Sequence, residues 1–489
     1  MKRMLLAVVA VAGFSLIGCG GKDSGSSTST GGTTAAAATG TTGQTTGQTT
    51  STGTSSTGST TGSTTASSTT ASSTTASSTT TGTTGTTGVT TAGTSSTGGF
   101  QVASHAAYPQ VPNNSGTPTL GALQLSTITF NGYDHQSDAE AFGDWVVGSS
   151  WLTTVGADYQ VGAGTHIAKV HLTDTAPTSI SDNQIQAYLK GKLDDGTLLA
   201  PGATIPGTST TVTEPLYAIF YPSSTTISLG QGGGTSCQDF GGYHSYFTYT
   251  PAGGTAVNVS YAVLPTCTQT PPGMSVKDYL TVAASHEYME AATDPFPTTG
   301  FGTDTSSYAI EDYSSAWSFV PGEVGDLCIG SMMHDSSGFM VQRIWSNSAA
   351  ARSETTGESP CIPSPSYAFF GVSVDHNNIV STKAGQTVTY NLSAFTQRAV
   401  SQRFMVMVYP VQASFNATWK LTTSDGQTLT QSSGFNGSVN MNNGDTATLV
   451  INVPSGASSQ DYAMFQVMAF ANGTSDYSFW PLGLFVTAL

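Results

Sequence analysis

The chain has 489 residues and a formal net charge of −16, from 29 Asp plus Glu against only 13 Lys plus Arg. With no basic cluster, this balance argues against nucleic acid as a partner and leaves carboxylates available for cations. Length alone suggests two or three domains after the first hundred or so residues.

Met1-Lys2-Arg3 is a cationic start, followed by the apolar run Met4 to Ile17 and then Gly18-Cys19. The run is about 14 residues, short of the ~20 that a spanning helix needs. Residues 1–18 therefore read as a secretory signal ending in a lipobox. Cys19 is the expected first residue of the mature chain, and its acyl chains are the expected membrane contact. From Cys19 to Gly99 the chain is nearly all Ser, Thr, Gly and Ala, with repeats such as Thr-Thr-Ala-Ser-Ser. Such a segment cannot bury a core and reads as a disordered stalk. Gly20, rather than an aspartate, follows Cys19, which by analogy favours an outer-membrane or cell-surface location.

Apart from Cys19, four cysteines remain: Cys237, Cys267, Cys328 and Cys361. An even number in an oxidising compartment implies two disulfides. Three pairings exist, and proximity favours Cys237 with Cys267 and Cys328 with Cys361. A four-cysteine zinc knot would need Cys-x-x-Cys pairs, which are absent.

Leu123, Leu125, Ile128 and Phe130 predict a strand, and Ser137 to Glu140 a capping box that opens a helix with Phe142, Trp145 and Val146 inward. A second box, Ser181 to Gln184, opens a helix with Ile185, Leu189 and Leu193 on one stripe, stopped at Asp194-Asp195-Gly196. Strands are expected at Leu216 to Tyr221 and at Val257 to Val263, with 241–247 a loop entering another strand. Ser275, with Asp278 three residues on, caps a helix from Tyr279 to Ala292 that ends at Thr293-Asp294-Pro295. From about Tyr367, short β-type runs with Asn/Gly turns predict an all-β sandwich, Ig-like, over 366–489. Ser424-Asp425-Gly426 is one of its turns.

The chemistry sits on the Ser275-capped helix. His286 and Glu290 are four residues apart, so both project from one face toward a point where a divalent metal could sit. Glu287 is turned about 100° from His286. In His-Glu-x-x-His metallopeptidases that glutamate takes a proton from metal-bound water, while the i, i+4 pair holds zinc. Glu290 replaces the second histidine and can still ligate through oxygen. Its charge makes bound water less acidic. Glu323 and Asp326, three apart, are the leading further ligands: one binds metal and the other holds the second ring nitrogen of His286. Glu323 is the preferred ligand, the reverse assignment stays open, and His334 and His244 are outside candidates.

Four blocks in order, Phe240-Gly241-Gly242-Tyr243-His244, Tyr261 to Pro265 with Cys267, Ser285-His286-Glu287-x-x-Glu290 with Thr293-Asp294-Pro295, and Glu323 to Cys328, resemble the exordium-like, or phosphate-induced protein, family. The resemblance covers roughly residues 119–362. It implies a secreted protein whose helix is similar to that of zincin-type metallopeptidases. The expected fold is thus an α+β zincin-like domain with a mixed sheet and an active-site helix over 100–365, followed by the sandwich. By resemblance His286, Glu287, Glu290, Glu323 and Asp326 match motif positions, and zinc is the expected cofactor. His244 matches a further family histidine in a segment lining the cleft, which makes it a catalytic candidate beside Glu287. This sequence departs in having Gly241 where a second cysteine is usual, and in lacking a second cysteine soon after Cys267.

Two functions follow as expectations. The first is a zinc-dependent hydrolase acting on peptide bonds outside the cell, with Glu287 as general base. The second is a non-catalytic surface protein that binds cell-wall polysaccharide or an extracellular protein through its β domain. No Gly-x-Ser-x-Gly elbow occurs in a strand-to-helix context, so serine hydrolases are set aside. No Asp-x-Asp-x-Asp-Gly calcium loop is present.

Overall fold

The computed structural model describes residues 99–488 except 115, 117–118, 230–233, 272, 298–307, 311–313, 321, 375–377, 433–436 and 472–473. The signal segment, Cys19 and the Ser/Thr/Gly stretch as far as Gly98 lie outside the described residues.

The first large sheet holds β1 (Gln124–Thr129), β2 (Thr165–His171), β3 (Pro215–Tyr221), β4 (Tyr243–Tyr249) and β5 (Val257–Pro265), in the order β2-β1-β3-β5-β4. All neighbours run parallel except β4, which pairs antiparallel with β5 at the edge. The central strand β3 is buried along its whole length. That is what a continuous apolar run gives when both faces of a parallel sheet are covered. Its alternate residues serve two cores. Leu216, Ala218 and Phe220 face one cluster, and Tyr217, Ile219 and Tyr221 the other.

The helices α1 (Gln136–Val146), α2 (Ser150–Val155), α3 (Asp182–Asp194), α4 (Val276–Thr293) and α5 (Asn347–Thr356) complete the helical part. Helix α3 has the Ser181–Gln184 capping box and buries Ile185, Leu189 and Leu193 against the second core. Helix α1 starts earlier than the Ser137 box predicts. His135 is its N-cap, and its ring instead pairs with Asp138 at 3.0 Å. Helix α4 has the Ser275–Asp278 box, with both reciprocal bonds made. Its alanines Ala283, Ala284, Ala291 and Ala292 join the first core, where small side chains let the backbone approach the sheet.

From Phe370 onward come two further five-stranded sheets. One orders β6 (Phe370–Val374), β8 (Thr387–Thr396), β13 (Thr446–Asn452), β10 (Thr418–Thr423) and β11 (Thr428–Thr430). The other orders β7 (Ile379–Thr382), β15 (Tyr477–Val486), β14 (Tyr462–Phe470), β9 (Phe404–Ala413) and β12 (Val439–Met441). Both contribute to the hydrophobic cluster that also holds the α4 alanines, through Tyr390 and Leu392 from one and Phe465 and Leu482 from the other. Residues from Gly99 onward fall in one compact unit.

The expected class, an α+β zincin-like domain with an active-site helix followed by an Ig-like sandwich, is corrected. The chain is mostly β: the described residues form six sheets against five α-helices. The helix read as lining an active site has every residue from Tyr279 to Thr293 buried. The physical reason is that neighbours pack against α4 from Tyr279 to Thr293, whereas a four-residue motif reports only which side chains share a face. No helix among the described residues is long and apolar enough to cross a membrane.

Both disulfides join the sequence-near pairs, Cys237 with Cys267 and Cys328 with Cys361. At Gly241, where the resembling family has a second cysteine, an added Cβ would collide with the Tyr279 hydroxyl. That space is already filled by the helix.

Candidate metal centre

Three elements bring the chemistry-bearing side chains together. Helix α4 supplies His286, Glu287 and Glu290. Strand β4 supplies His244: with period-2 alternation Tyr243 enters the second core and His244 turns the other way. The segment before Cys328 supplies Glu323, bridged to Ala309, and Asp326, which opens a short 3₁₀ turn. All six side chains are buried.

His286 Nε2 lies 3.0 Å from Glu290 Oε2 and 3.8 Å from Asp326 Oδ1. Two donors bound to one tetrahedral zinc sit about 3.4 Å apart, given bonds of about 2.1 Å. On the other side His244 Nδ1 lies 3.5 Å from Glu287 Oε2 and 3.7 Å from Glu290 Oε2, and His244 Nε2 lies 3.6 Å from Glu323 Oε1. The Asp294 carbonyl oxygen is 3.2 Å from that same Nε2. Neither oxygen of Glu287 has a hydrogen-bond partner, nor does Asp326 Oδ2. Buried oxygens in that state are costly unless a cation or proton meets them.

The electrostatics agree. Burial alone would depress the His286 imidazole, but Glu290, Glu287 and Asp326 push it up to about 10. His244 is likewise raised against burial, by Glu287, Glu290 and Asp294. Burial raises Glu287, with Glu290 adding to it. Burial and Glu290 hold Asp326 well above the carboxylate range. The cluster is short of positive charge and takes it from protons where no cation supplies it. The histidine and carboxylate donors, their spacing and the unpartnered oxygens all fit a divalent metal such as zinc.

The orienting group for His286 is not the one expected. Neither Glu323 nor Asp326 holds its second nitrogen; Gln342 does, with Oε1 3.1 Å from Nδ1. Gln342 Nε2 donates to the Gly325 carbonyl at 2.6 Å, which fixes the amide so that Oε1 can only accept. Nδ1 therefore carries a proton, and Nε2, which faces Glu290, is the ring nitrogen left to ligate a cation. Asp326 joins the His286 side and Glu323 the His244 side, because the bridge at Glu323 and the turn at Asp326 point the two in different directions. His334 is exposed on the short strand Met332–His334 and takes no part.

No family model matches the chain, and no curated protein matches it. Solved structures match over about a quarter of it. They include domains 4 and 5 of the S-layer protein SbsC, at 13% identity and TM-score 0.16, covering 25% of this chain and 54% of that one. The CooA pilin subunit from enterotoxigenic Escherichia coli matches at 10% identity and TM-score 0.18, covering 24% of this chain and 98% of that one. WR4, a C. elegans MSP family member, matches at 13% identity and TM-score 0.16, over 24% and 97%. This chain thus spans about half of the S-layer chain, and at these scores the matches carry no argument about the centre.

Sequence reasoning missed Gln342 and the two glycines that line the cluster. A Cβ on Gly242 would lie 2.8 Å from Glu287 Oε1, and one on Gly325 2.6 Å from Glu290 Oε1 and 2.8 Å from His286 Nδ1. Gln342 stands in a short strand, Met340–Gln342, where nothing local marks it. The glycines had a signal, since both lie inside blocks singled out for their neighbours.

Proposed function

We propose that this chain is an exported lipoprotein, anchored through Cys19 at the cell envelope, whose folded part is a metal-dependent hydrolase acting on peptide bonds outside the cell. The observation that carries this reading is Glu287: a fully buried carboxylate without hydrogen-bond partners, adjacent on α4 to a His286, Glu290 and Asp326 donor set. Those three residues would hold zinc, which supplies an activated water when bound. Glu287 would take the proton from that water, and His244, 3.5 Å away, would steady its charge. The Ser/Thr/Gly stretch gives reach from the membrane.

The test is elemental analysis of the purified protein with a peptidase screen, for wild type beside His286→Ala and Glu287→Gln. A lower zinc content in the first variant, and an unchanged zinc content with activity lost in the second, supports the reading. No metal in wild type, even after zinc is supplied, sinks it.

One observation favours a second reading: every residue of α4 from Tyr279 to Thr293 is buried. In that case the metal cluster is scaffold and the protein is a non-catalytic surface lipoprotein, binding wall polysaccharide or an extracellular protein through its β sheets. Its mark is glycan or protein binding that Glu287→Gln leaves unchanged, together with bound metal and no hydrolysis.

A further inference from the structure

The buried cluster contains two donor sets rather than one. One donor atom each from His286, Glu290 and Asp326 lie within 4.8 Å of one another, and the same holds for His244, Glu290 and Glu323. Each set has one histidine and two carboxylates. Glu290 belongs to both, with Oε2 3.0 Å from His286 Nε2 and 3.7 Å from His244 Nδ1. Its Oε1 accepts the Asp326 N–H at 3.0 Å, so the carboxylate is held in place between the two histidines.

We infer that the cluster binds two divalent cations, with Glu290 as the carboxylate shared between them. The inference rests on the metal-binding reading above and deepens it.

Charge supports the count. Glu287, Glu290, Asp294, Glu323 and Asp326 are all buried, and histidines that ligate a metal are neutral. One divalent ion balances the charge of two of these five carboxylates, and two ions balance four. The chain has few cationic side chains to help, and six of them form ion pairs elsewhere: Lys169, Lys192, Lys277, Arg343, Arg352 and Arg403. The glycines agree with the space needed. Gly325 crowds the His286 side and Gly242 approaches Glu287, so the backbone leaves no room for side chains where donors must converge. Two metal ions sharing a carboxylate sit about 3.5–4 Å apart in the known hydrolytic pairs.

The experiment uses the wild-type protein, stripped with chelator and reloaded with Mn²⁺. Bound ions per chain are counted by elemental analysis, and spin coupling is read by electron paramagnetic resonance. Two ions with an exchange-coupled spectrum are the expected result. Two ions without coupling overturn the shared carboxylate. One ion overturns the second site while the metal reading stands, and none overturns both. Variants then assign the sites. Among those that keep the wild-type circular dichroism, His244→Ala and His286→Ala each retain one uncoupled ion. Loss of all metal in either one shows both histidines on a single ion and overturns the inference.

Discussion

Gln342 Oε1 meets His286 Nδ1 at 3.1 Å, while its amide nitrogen donates to the Gly325 carbonyl at 2.6 Å. One buried amide therefore sets the tautomer of the histidine and ties it to the segment that carries Asp326. Groups that orient a ligating histidine in this way contribute roughly 10–100-fold in metal affinity. Gln342→Leu, which keeps bulk and removes both bonds, is expected to weaken zinc binding by a factor in that range. Competition against a chromogenic chelator measures it. An unchanged dissociation constant would show that the histidine is held by packing alone.

Gly325 has helical backbone angles, φ −79° and ψ −46°, so alanine would meet no backbone strain there. The cost of Gly325→Ala is steric, from a Cβ 2.6 Å from Glu290 Oε1 and 2.8 Å from His286 Nδ1. Overpacking of this kind costs about 1–3 kcal/mol. Gly191 in α3 is the control, since an added Cβ there meets nothing within 4 Å and alanine favours a helix by roughly 0.5–1 kcal/mol. Urea unfolding should move the two variants in opposite directions. Equal midpoints would refute the crowding argument.

Cys328–Cys361 closes a loop with a sequence separation of 33 two residues beyond Asp326. Loop-closure entropy puts its contribution near 4 kcal/mol. Replacing both cysteines by alanine is expected to lower stability by that order and to weaken metal binding, because the turn that presents Asp326 loses its tie. Thermal melts with and without zinc separate the effects. A variant that melts lower yet binds zinc as tightly as wild type would place the disulfide outside the site's support.

Asp425 accepts hydrogen bonds from Thr423 at 2.5 Å, Arg403 at 2.7 Å and Gln427 at 3.0 Å. Those donors, Thr423 first, hold its carboxyl below the usual range. A depressed folded-state pKa stabilises the protein above the unfolded value, about 3.9, and that stabilisation fades as pH falls toward the folded value. Asp425→Asn is therefore expected to melt below wild type at pH 7, with the gap closing below about pH 4. A gap that stays constant from pH 7 to pH 3 contradicts the assignment.

Much was legible before any tertiary structure. The caps at Ser181 and Ser275, the apolar stripe of α3 and the turn at Ser424-Asp425-Gly426 are local features, decided by hydrogen bonds and periodicity within a few residues. Of the cluster, His286, Glu287 and Glu290 were readable from helix spacing and Glu323 and Asp326 from their three-residue separation, whereas His244 was an outside candidate that the family resemblance raised. The class of the fold was not readable, because many of its strands are short segments whose partners are distant in the chain. Strand β7 pairs with β15 about a hundred residues later, and no local pattern announces such a pairing.

The sequence by itself determined which side chains share a face of α4 and which cysteines are near enough to join. Only the tertiary structure decided that Gln342 rather than an acid orients His286, that Glu323 and Asp326 turn to different histidines, and that α4 is buried from Tyr279 to Thr293. The reason is reach. Covalent spacing constrains neighbours within a turn or two, whereas the Cα of Gln342 and that of His286 are brought together by sheet and helix packing across 56 residues of chain.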